Sequence, residues 1–364
     1  MARRLAAPLL ALLASPPPLA RSDAPTPPET PECVDHDPEC AFWARGGECE
    51  ANAPYMHASC AKSCALCSPP PPRCHNRDTS GSCDAWAAAG ECDRNPSFMT
   101  TRCAEACGTC ELLQYEKRCP LEARGEEAVP PGAMRRAFER ALSNFPELEP
   151  QLLSSDPWVV SFERFLSAEE ADALLKHGEG RYERSTASGG RADDEFIPLK
   201  SEIRTSYTTW CDNATCLEDP LVARVMARVA DVTQVPTNHS EFIQLLRYMP
   251  CAHAGADDCQ FYRRHHDTIP ELATMQPGPR VYTFFMYLSD VEEGGGTQFD
   301  GGFTVQPKKG KAVWWPAVYE DRPFVSDPRT HHEALPVLKG VKYAANFWLH
   351  QFDYWGPHFS GCTS

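Results

Sequence analysis

Val341-Lys-Tyr-Ala-Ala-Asn-Phe-Trp-Leu-His350 is the stretch on which the fold turns. It is rich in aromatic and other apolar residues and free of Gly and Pro, so it reads as one strand. Side chains alternate along a strand, which places Lys342, Ala344, Asn346, Trp348 and His350 on one face. The other face, Tyr343, Ala345, Phe347 and Leu349, is suited to packing. An ammonium, an indole and an imidazole aligned on a single face read as a working surface. Three further runs predict strands: Phe242 to Tyr248, Val281 to Leu288 and Lys311 to Trp315. Turn signals such as Gly294-Gly-Gly296 and Pro307-Lys-Lys-Gly310 separate them.

Helical patterns lie upstream. Ser167-x-x-Glu170 is a capping box that opens a helix, with Gly178 expected to close it. Asp219-Pro220 reads as N-cap and first turn of another helix, burying Leu221, Val222, Val225 and Val229. Met134, Phe138, Ala141, Leu142 and Phe145 form the apolar stripe of a helix inside a connector, residues 111–155. Residues 156–364 form the main domain. A few helices followed by many strands predicts an α+β class, a double-sheet jelly roll (double-stranded β-helix) backed by helices.

One set of side chains in that domain carries chemistry. Tyr262-Arg-Arg-His265-His-Asp267 is followed much later by His332, and Lys342 stands ten residues beyond it. Two imidazoles and a carboxylate can hold Fe(II) on one face and leave three positions open, while a lysine set back from the metal can grip an acid cosubstrate. A His-x-Asp triplet alone means little, because about one is expected by chance in a chain with twelve histidines. The ordered set around it is what counts. Strand parity projects His265 and Asp267 together and turns His266 away; Tyr262 has the opposite parity and joins them only if the strand bends. His331 is the rival of His332 as a ligand, and the ten-residue step to the lysine favours His332. His239, His253 and His358 have no motif context and read as surface or structural residues.

The N-terminal third is a different material. Eighteen cysteines occur in 364 residues, and twelve of them fall between Cys33 and Cys110. Such density belongs to an oxidising compartment. Arg3 and Arg4 precede the apolar run Leu5 to Ala14 and a small-residue site near Ala20, so residues 1–20 read as a cleavable signal peptide, with a retained anchor as the alternative. No other segment is apolar and long enough for a stable membrane span. The sequons at Asn213 and Asn238 suit a secretory route. Formal net charge of −15 argues against a nucleic-acid partner. The sequence specifies no oligomeric state.

Cys33, Cys40, Cys49, Cys60, Cys64 and Cys67 are echoed by Cys74, Cys83, Cys92, Cys103, Cys107 and Cys110, a repeat of about 42 residues. Units this small need disulfides to limit their unfolded states. Zinc is the competing reading, disfavoured by the even count and the secretory context. Ser68-Pro-Pro-Pro-Pro72 joins the two as a stiff polyproline II tether. Cys251 with Cys259 and Cys211 with Cys216 close small loops, and Cys119 and Cys362 pair by elimination.

Residues 33–67 and 74–110 resemble the ShK-toxin (ShKT) domain, through Cys33-x-Asp35, Trp43-Ala, Pro54-Tyr-Met and Cys64-x-x-Cys67. That resemblance implies the pairs Cys33–Cys67, Cys40–Cys60 and Cys49–Cys64, then Cys74–Cys110, Cys83–Cys103 and Cys92–Cys107. The Lys-Tyr pair with which toxin members block potassium channels is missing from both copies, which points to binding or spacing instead.

From Asp156 onward the chain resembles the prolyl 4-hydroxylases, Fe(II)- and 2-oxoglutarate-dependent dioxygenases. The matching stretches are Phe165-Leu-Ser167-x-Glu-Glu170, Arg204-Thr-Ser206, Glu241-x-x-Gln244 and Tyr262-x-x-His265-x-Asp267. They continue through Tyr287-Leu-Ser-Asp-Val-Glu-Glu-Gly-Gly295 with Thr297, His332-x-x-x-Pro336-Val and Gly340-x-Lys342. By that resemblance iron is bound by His265, Asp267 and His332, and Lys342 pairs with the far carboxylate of 2-oxoglutarate, with Thr297 and Tyr248 as further contacts. Peptide contacts carry over to Arg204, Ser206, Glu241, Tyr262, Arg280, Trp348 and His350. The resemblance also implies O2 and ascorbate, a proline-rich or collagen-like protein substrate, and work in the endoplasmic reticulum lumen or Golgi, or after secretion. The Cys251–Cys259 insertion departs from the family's shorter spacing and bears on peptide selection. Two other readings stand beside this one: an oxygenase acting on another side chain, and a non-catalytic secreted ShKT binding protein. Lys342 speaks against the lysyl branch, where arginine usually holds the cosubstrate.

Overall fold

The structure, a computed structural model, describes residues 33–37, 39–67, 74–192, 195–200 and 202–363. The expected signal peptide and the Ser68–Pro72 tether lie outside the described residues. The chain divides into two compact units, one up to Pro71 and one from Pro72. Among the described residues no helix is long and apolar enough to cross a membrane.

Two antiparallel sheets face each other in the second unit. The larger runs in the order Pro150–Ser155, Trp158–Phe162, Ala312–Pro316, Arg280–Tyr287, Lys342–His350, Ile243–Tyr248, Tyr207–Cys211 and Glu183–Arg184. The smaller runs Thr304–Val305, Thr297–Phe299, His332–Ala334 and Tyr262–His265. This is the jelly roll. Alternation along each strand divides the core into two clusters. Tyr282, Phe284, Met286, Ala345, Phe347 and Leu349 meet the helices on the outer face of the large sheet. Phe285, Tyr287, Tyr248, Trp315 and Ala344 pack inward against Phe299 and Val337, between the sheets. Lys342–His350 therefore has the two faces its sequence predicts.

The covering helices are Ala133–Asn144, Ala168–Gly178 and Pro220–Thr233. Ser167 and Glu170 form the reciprocal capping box, and Asp219 caps Pro220–Thr233 through the Leu221 amide. Leu221 is only half-buried, and Met226 takes the core position beside Val225. Gly178 is the last helical residue and not a left-handed cap. Its lack of a side chain answers a steric demand instead, because a Cβ there would sit 2.5 Å from the Tyr182 hydroxyl.

Residues 111–155, expected as a connector with one helix, pack on the large sheet. Pro150–Ser155 is an edge strand of the large sheet, and Phe138 stacks on Trp314 at 3.7 Å between ring centres. The apolar stripe of Ala133–Asn144 covers sheet that would otherwise face water. All eighteen cysteines are disulfide-bonded: Cys33–Cys67, Cys40–Cys60, Cys49–Cys64, Cys74–Cys110, Cys83–Cys103, Cys92–Cys107, Cys119–Cys362, Cys211–Cys216 and Cys251–Cys259.

Candidate active site

Strand pairing assembles the triad. His332 lies opposite His265 in the small sheet, and Asp267 follows two residues after His265. One donor atom from each of His265, Asp267 and His332 lies within 4.8 Å of the others, close enough to share an ion. His265 Nδ1 faces the Arg263 carbonyl at 2.7 Å and His332 Nδ1 the Thr330 carbonyl at 3.0 Å. An Nδ1–H donated to a carbonyl leaves Nε2 as a lone-pair donor, and both Nε2 atoms point at Asp267, at 3.9 and 3.6 Å. Thr283 donates its hydroxyl to Asp267 Oδ2 at 2.7 Å, fixing the carboxylate.

Burial and the neighbouring His332 push His265 well below the usual imidazole range. Burial alone would raise Asp267, but His332, His265, the Thr283 hydroxyl and Arg280 outweigh it and hold the carboxyl low. Neutral imidazoles with an ionised carboxylate are the protonation states that bind a metal. His331 is excluded from this cluster: its Nδ1 contacts the Pro328 carbonyl and its ring packs edge-on against His266. A second grouping, Cys251, Asp258 and Cys259, offers no thiolates because both cysteines are in a disulfide.

Tyr262 reaches the site through a bend. Tyr262 and His265 are three positions apart while their partners Ala334 and His332 are two apart, so the ladder slips at this point. The slip stacks the Tyr262 ring on His265 at 3.4 Å.

Lys342 lies on the inner face of the large sheet, 0% exposed. Its Nζ is 5.1 Å from the Tyr248 ring, 5.3 Å from Phe285 and 5.5 Å from Tyr287. It has no hydrogen-bond partner among the described residues, and burial lowers its pKa to about 7. A buried, unpartnered ammonium is costly unless an anion joins it. Thr297 is buried and accepts a hydrogen bond at 2.7 Å from Tyr287, whose ring borders Lys342. Ring contacts connect lysine and triad: His332 to Trp315 at 4.8 Å, Trp315 to Phe285 at 6.4 Å, and Phe285 to Lys342. A keto-acid with one end on a triad-bound metal and its carboxylate on Lys342 fits this arrangement.

A cavity of ≈ 560 Å³ opens beside Asp267, with Arg204, Glu241, Tyr262, Arg280 and Trp348 in its wall. Arg280 grips Glu241 through two nitrogens, at 2.5 and 3.0 Å, and donates to the Asp267 carbonyl at 3.1 Å. His350 Nε2 bonds the same Glu241 at 2.9 Å. Arg280 lies 3.9 Å over the Trp348 ring. Burial would raise Glu241, yet Arg280 and His350 hold it far below the usual carboxylate range. Arg204 donates to Gln244 at 2.6 Å and lies 4.9 Å over Tyr262. Among the described residues the buried Trp348 Nε1 and Arg204 Nε lack partners. Ser206 is buried behind this wall, against Ser185 at 2.9 Å. Thr283, Phe285 and Trp315 belong to none of the motifs, and Tyr287 stands in one without a role assigned to it. Inward parity of Val281 to Leu288 could have found Thr283, Phe285 and Tyr287. Tyr354 and Thr363, which also line the cavity, carry no such signal.

The family model described as the 2OG-Fe(II) oxygenase superfamily matches residues 243–350, and the ShK domain-like model matches 32–67 and 73–110. Fold and site thus define an Fe(II)- and 2-oxoglutarate-dependent dioxygenase that carries two ShK-like modules. Prolyl 4-hydroxylase 1 of Arabidopsis thaliana is 32% identical over 220 residues, covering 56% of this chain and 72% of that protein. The prolyl 4-hydroxylase subunit alpha-3 of Bos taurus is 31% identical over 226 residues, covering 59% of this chain and 38% of that subunit. A viral collagen prolyl hydroxylase from Paramecium Bursaria Chlorella virus-1, solved as a 2OG complex, aligns with 22% identity and TM-score 0.38 over 53% of this chain and 95% of that one. The chain belongs to the prolyl 4-hydroxylase family, whose members are oxidoreductases using Fe(II), 2-oxoglutarate and O2.

Proposed function

We propose that this protein hydroxylates C4 of proline in proline-rich or collagen-like segments of proteins in the secretory pathway, with ascorbate keeping the iron ferrous. The observation that carries the reading is Lys342, a buried ammonium with no partner among the described residues, linked through aromatic rings to a two-histidine, one-carboxylate cluster. Iron would be held by His265 Nε2, His332 Nε2 and an Asp267 carboxylate oxygen. Bound there, it supplies oxygen activation coupled to decarboxylation of 2-oxoglutarate to succinate and carbon dioxide. Lys342 would take the far carboxylate of that cosubstrate, with Thr297 and Tyr248 walling its site. Arg204, Tyr262 and Trp348 would orient an extended peptide, offering stacking faces and unpaired N–H groups suited to proline rings and backbone carbonyls. The Glu241–Arg280–His350 network would fix Trp348 and the Asp267 backbone, and Ser206 would support the wall from behind. Closing the cleft with peptide excludes water from the reacting carbon.

Nine disulfides, the apolar N-terminal run and the sequons at Asn213 and Asn238 support the secretory setting. The test is Fe(II)-dependent succinate release with poly-proline, collagen-like and serine-proline-rich peptides, comparing wild type with His332→Ala. We expect stimulation by at least one peptide, hydroxyproline in its product, and neither in the variant. Iron-loaded wild type that no peptide stimulates would overturn the assignment to proline.

A further inference from the structure

The outer wall of the cleft is built from the C-terminal end of the chain. Tyr354 and Thr363 line the cavity together with Arg280 and Trp348. Tyr354 sits against the His350 ring at 5.0 Å, and the Thr363 hydroxyl pairs with His358 Nδ1 at 3.0 Å. The segment between them is short and would not hold its place alone. It is docked on residues 238–242: Asn238 donates to Asp353 at 2.8 Å, and Trp355 Nε1 to the Ser240 carbonyl at 2.9 Å. The Phe242 ring packs against His358 at 5.0 Å and Trp355 at 5.8 Å.

The far end of this segment is held from outside the jelly roll. Cys362 is bonded to Cys119, just after the second ShK-like module. Tyr115 donates to the Cys362 carbonyl at 2.9 Å and Arg118 to the Gly361 carbonyl at 3.3 Å. Gly361 has φ 69° and lies so near the module that a Cβ would meet the Ser97 carbonyl at 3.4 Å. The same connector grips a second piece of the wall. Arg124 donates to the Ala273 carbonyl at 2.9 Å and the Gln276 carbonyl at 3.3 Å, and Gln276 returns a bond to the Pro120 carbonyl at 2.9 Å. That turn delivers Ile269 and Leu272 to the cavity. Residues 115–124 thus clamp two separate stretches that border one cleft.

We propose that the second ShK-like module and its connector are a substrate-selecting clamp, which positions Tyr354, Thr363 and Leu272 as an outer subsite for residues flanking the target proline. This rests on reading the cleft as a peptide site. The occupant is an extended peptide longer than the proline and its neighbours, read by a phenol, a hydroxyl and an apolar side chain beyond Trp348. Cys119, Arg118 and Arg124 are positioning residues. They act through the wall and touch no substrate.

The experiment compares the wild-type full chain with Cys119→Ser/Cys362→Ser, using two peptides. One holds the target proline and its immediate neighbours; the other extends about six residues further on each side. In the double variant KM for the extended peptide rises about tenfold, while KM for the minimal peptide and peptide-independent succinate release stay at wild-type values. Thr363→Val, which keeps the disulfide and guards against misfolding, shifts the extended-peptide KM in the same direction by about threefold. A variant whose two KM values move by the same factor, or not at all, overturns the clamp. A wild type that no proline peptide stimulates removes the peptide reading itself, and the clamp with it.

Discussion

His331 and His332 are adjacent, and strand geometry alone separates their roles. His332 is turned inward, with Nε2 3.6 Å from Asp267, while His331 faces His266 at 5.1 Å on the other side. His332→Ala should weaken metal binding by more than the ~10–100-fold that loss of an outer partner costs, and His331→Ala should leave it within about twofold. Titrating Mn(II) into the metal-free protein measures both, without turnover. Thr283→Val, which removes the donor to Asp267, should fall in that intermediate ~10–100-fold range. Lys342 supplies the pH dependence. Burial holds it at about 7 against an ordinary 10.5, so between these values the native state binds fewer protons than the unfolded chain. Stability of the ligand-free protein therefore rises with pH across that window. A bound carboxylate needs the ammonium, so cosubstrate binding takes up a proton above pH 7. The dissociation constant for 2-oxoglutarate should increase about tenfold per pH unit above that point. Lys342→Met should bind weakly with a flat profile, and a wild-type constant that does not change with pH would refute the assignment.

At the scale of elements, alternation made the strands readable. Lys342–His350 is long and has one wholly apolar face, and its register survives from sequence to structure because a slip by one residue would bury the wrong set. Tyr262 was legible only as a conflict, since parity put it on the wrong face until the slipped ladder moved it. The glycine turns carry a sharper test. Gly294 has φ 78°, and a Cβ there would lie 2.4 Å from the Pro336 carbonyl, backbone against backbone. Gly302 has φ 80° and open space around it. Gly294→Ala should cost about 2–4 kcal/mol and disturb the turn that leads into Thr297, whereas Gly302→Ala should cost only the ~1 kcal/mol of backbone strain. Urea unfolding of the two variants gives the comparison, and equal losses would show that close approach is not the reason for Gly294.

On the scale of the whole molecule, the packing of residues 111–155 on the large sheet was not legible. The apolar stripe around Phe138 was visible, but nothing local says that its partner is Trp314, far along the chain. Long-range pairing of that kind has no short-range signature. The cysteine left over for Cys362 was the one hint that the two ends meet. In the structure the compact unit begins at Pro72, so it takes in the second ShK-like module and leaves out the first. A chain starting at Pro72 should then keep the unfolding midpoint and metal affinity of the full-length protein. A chain starting at Glu126 loses Cys119, and with it a crosslink spanning 243 residues, together with the Arg124 contacts to the 273–276 turn. Closing so long a loop is worth about 5–6 kcal/mol in the chain-entropy account, a large part of the ~5–15 kcal/mol that stabilises an ordinary domain. Thermal unfolding monitored by calorimetry should therefore show a clear fall for the second truncation and none for the first. Equal midpoints for the two truncations would mean that the module is an appendage and that the jelly roll stands without it.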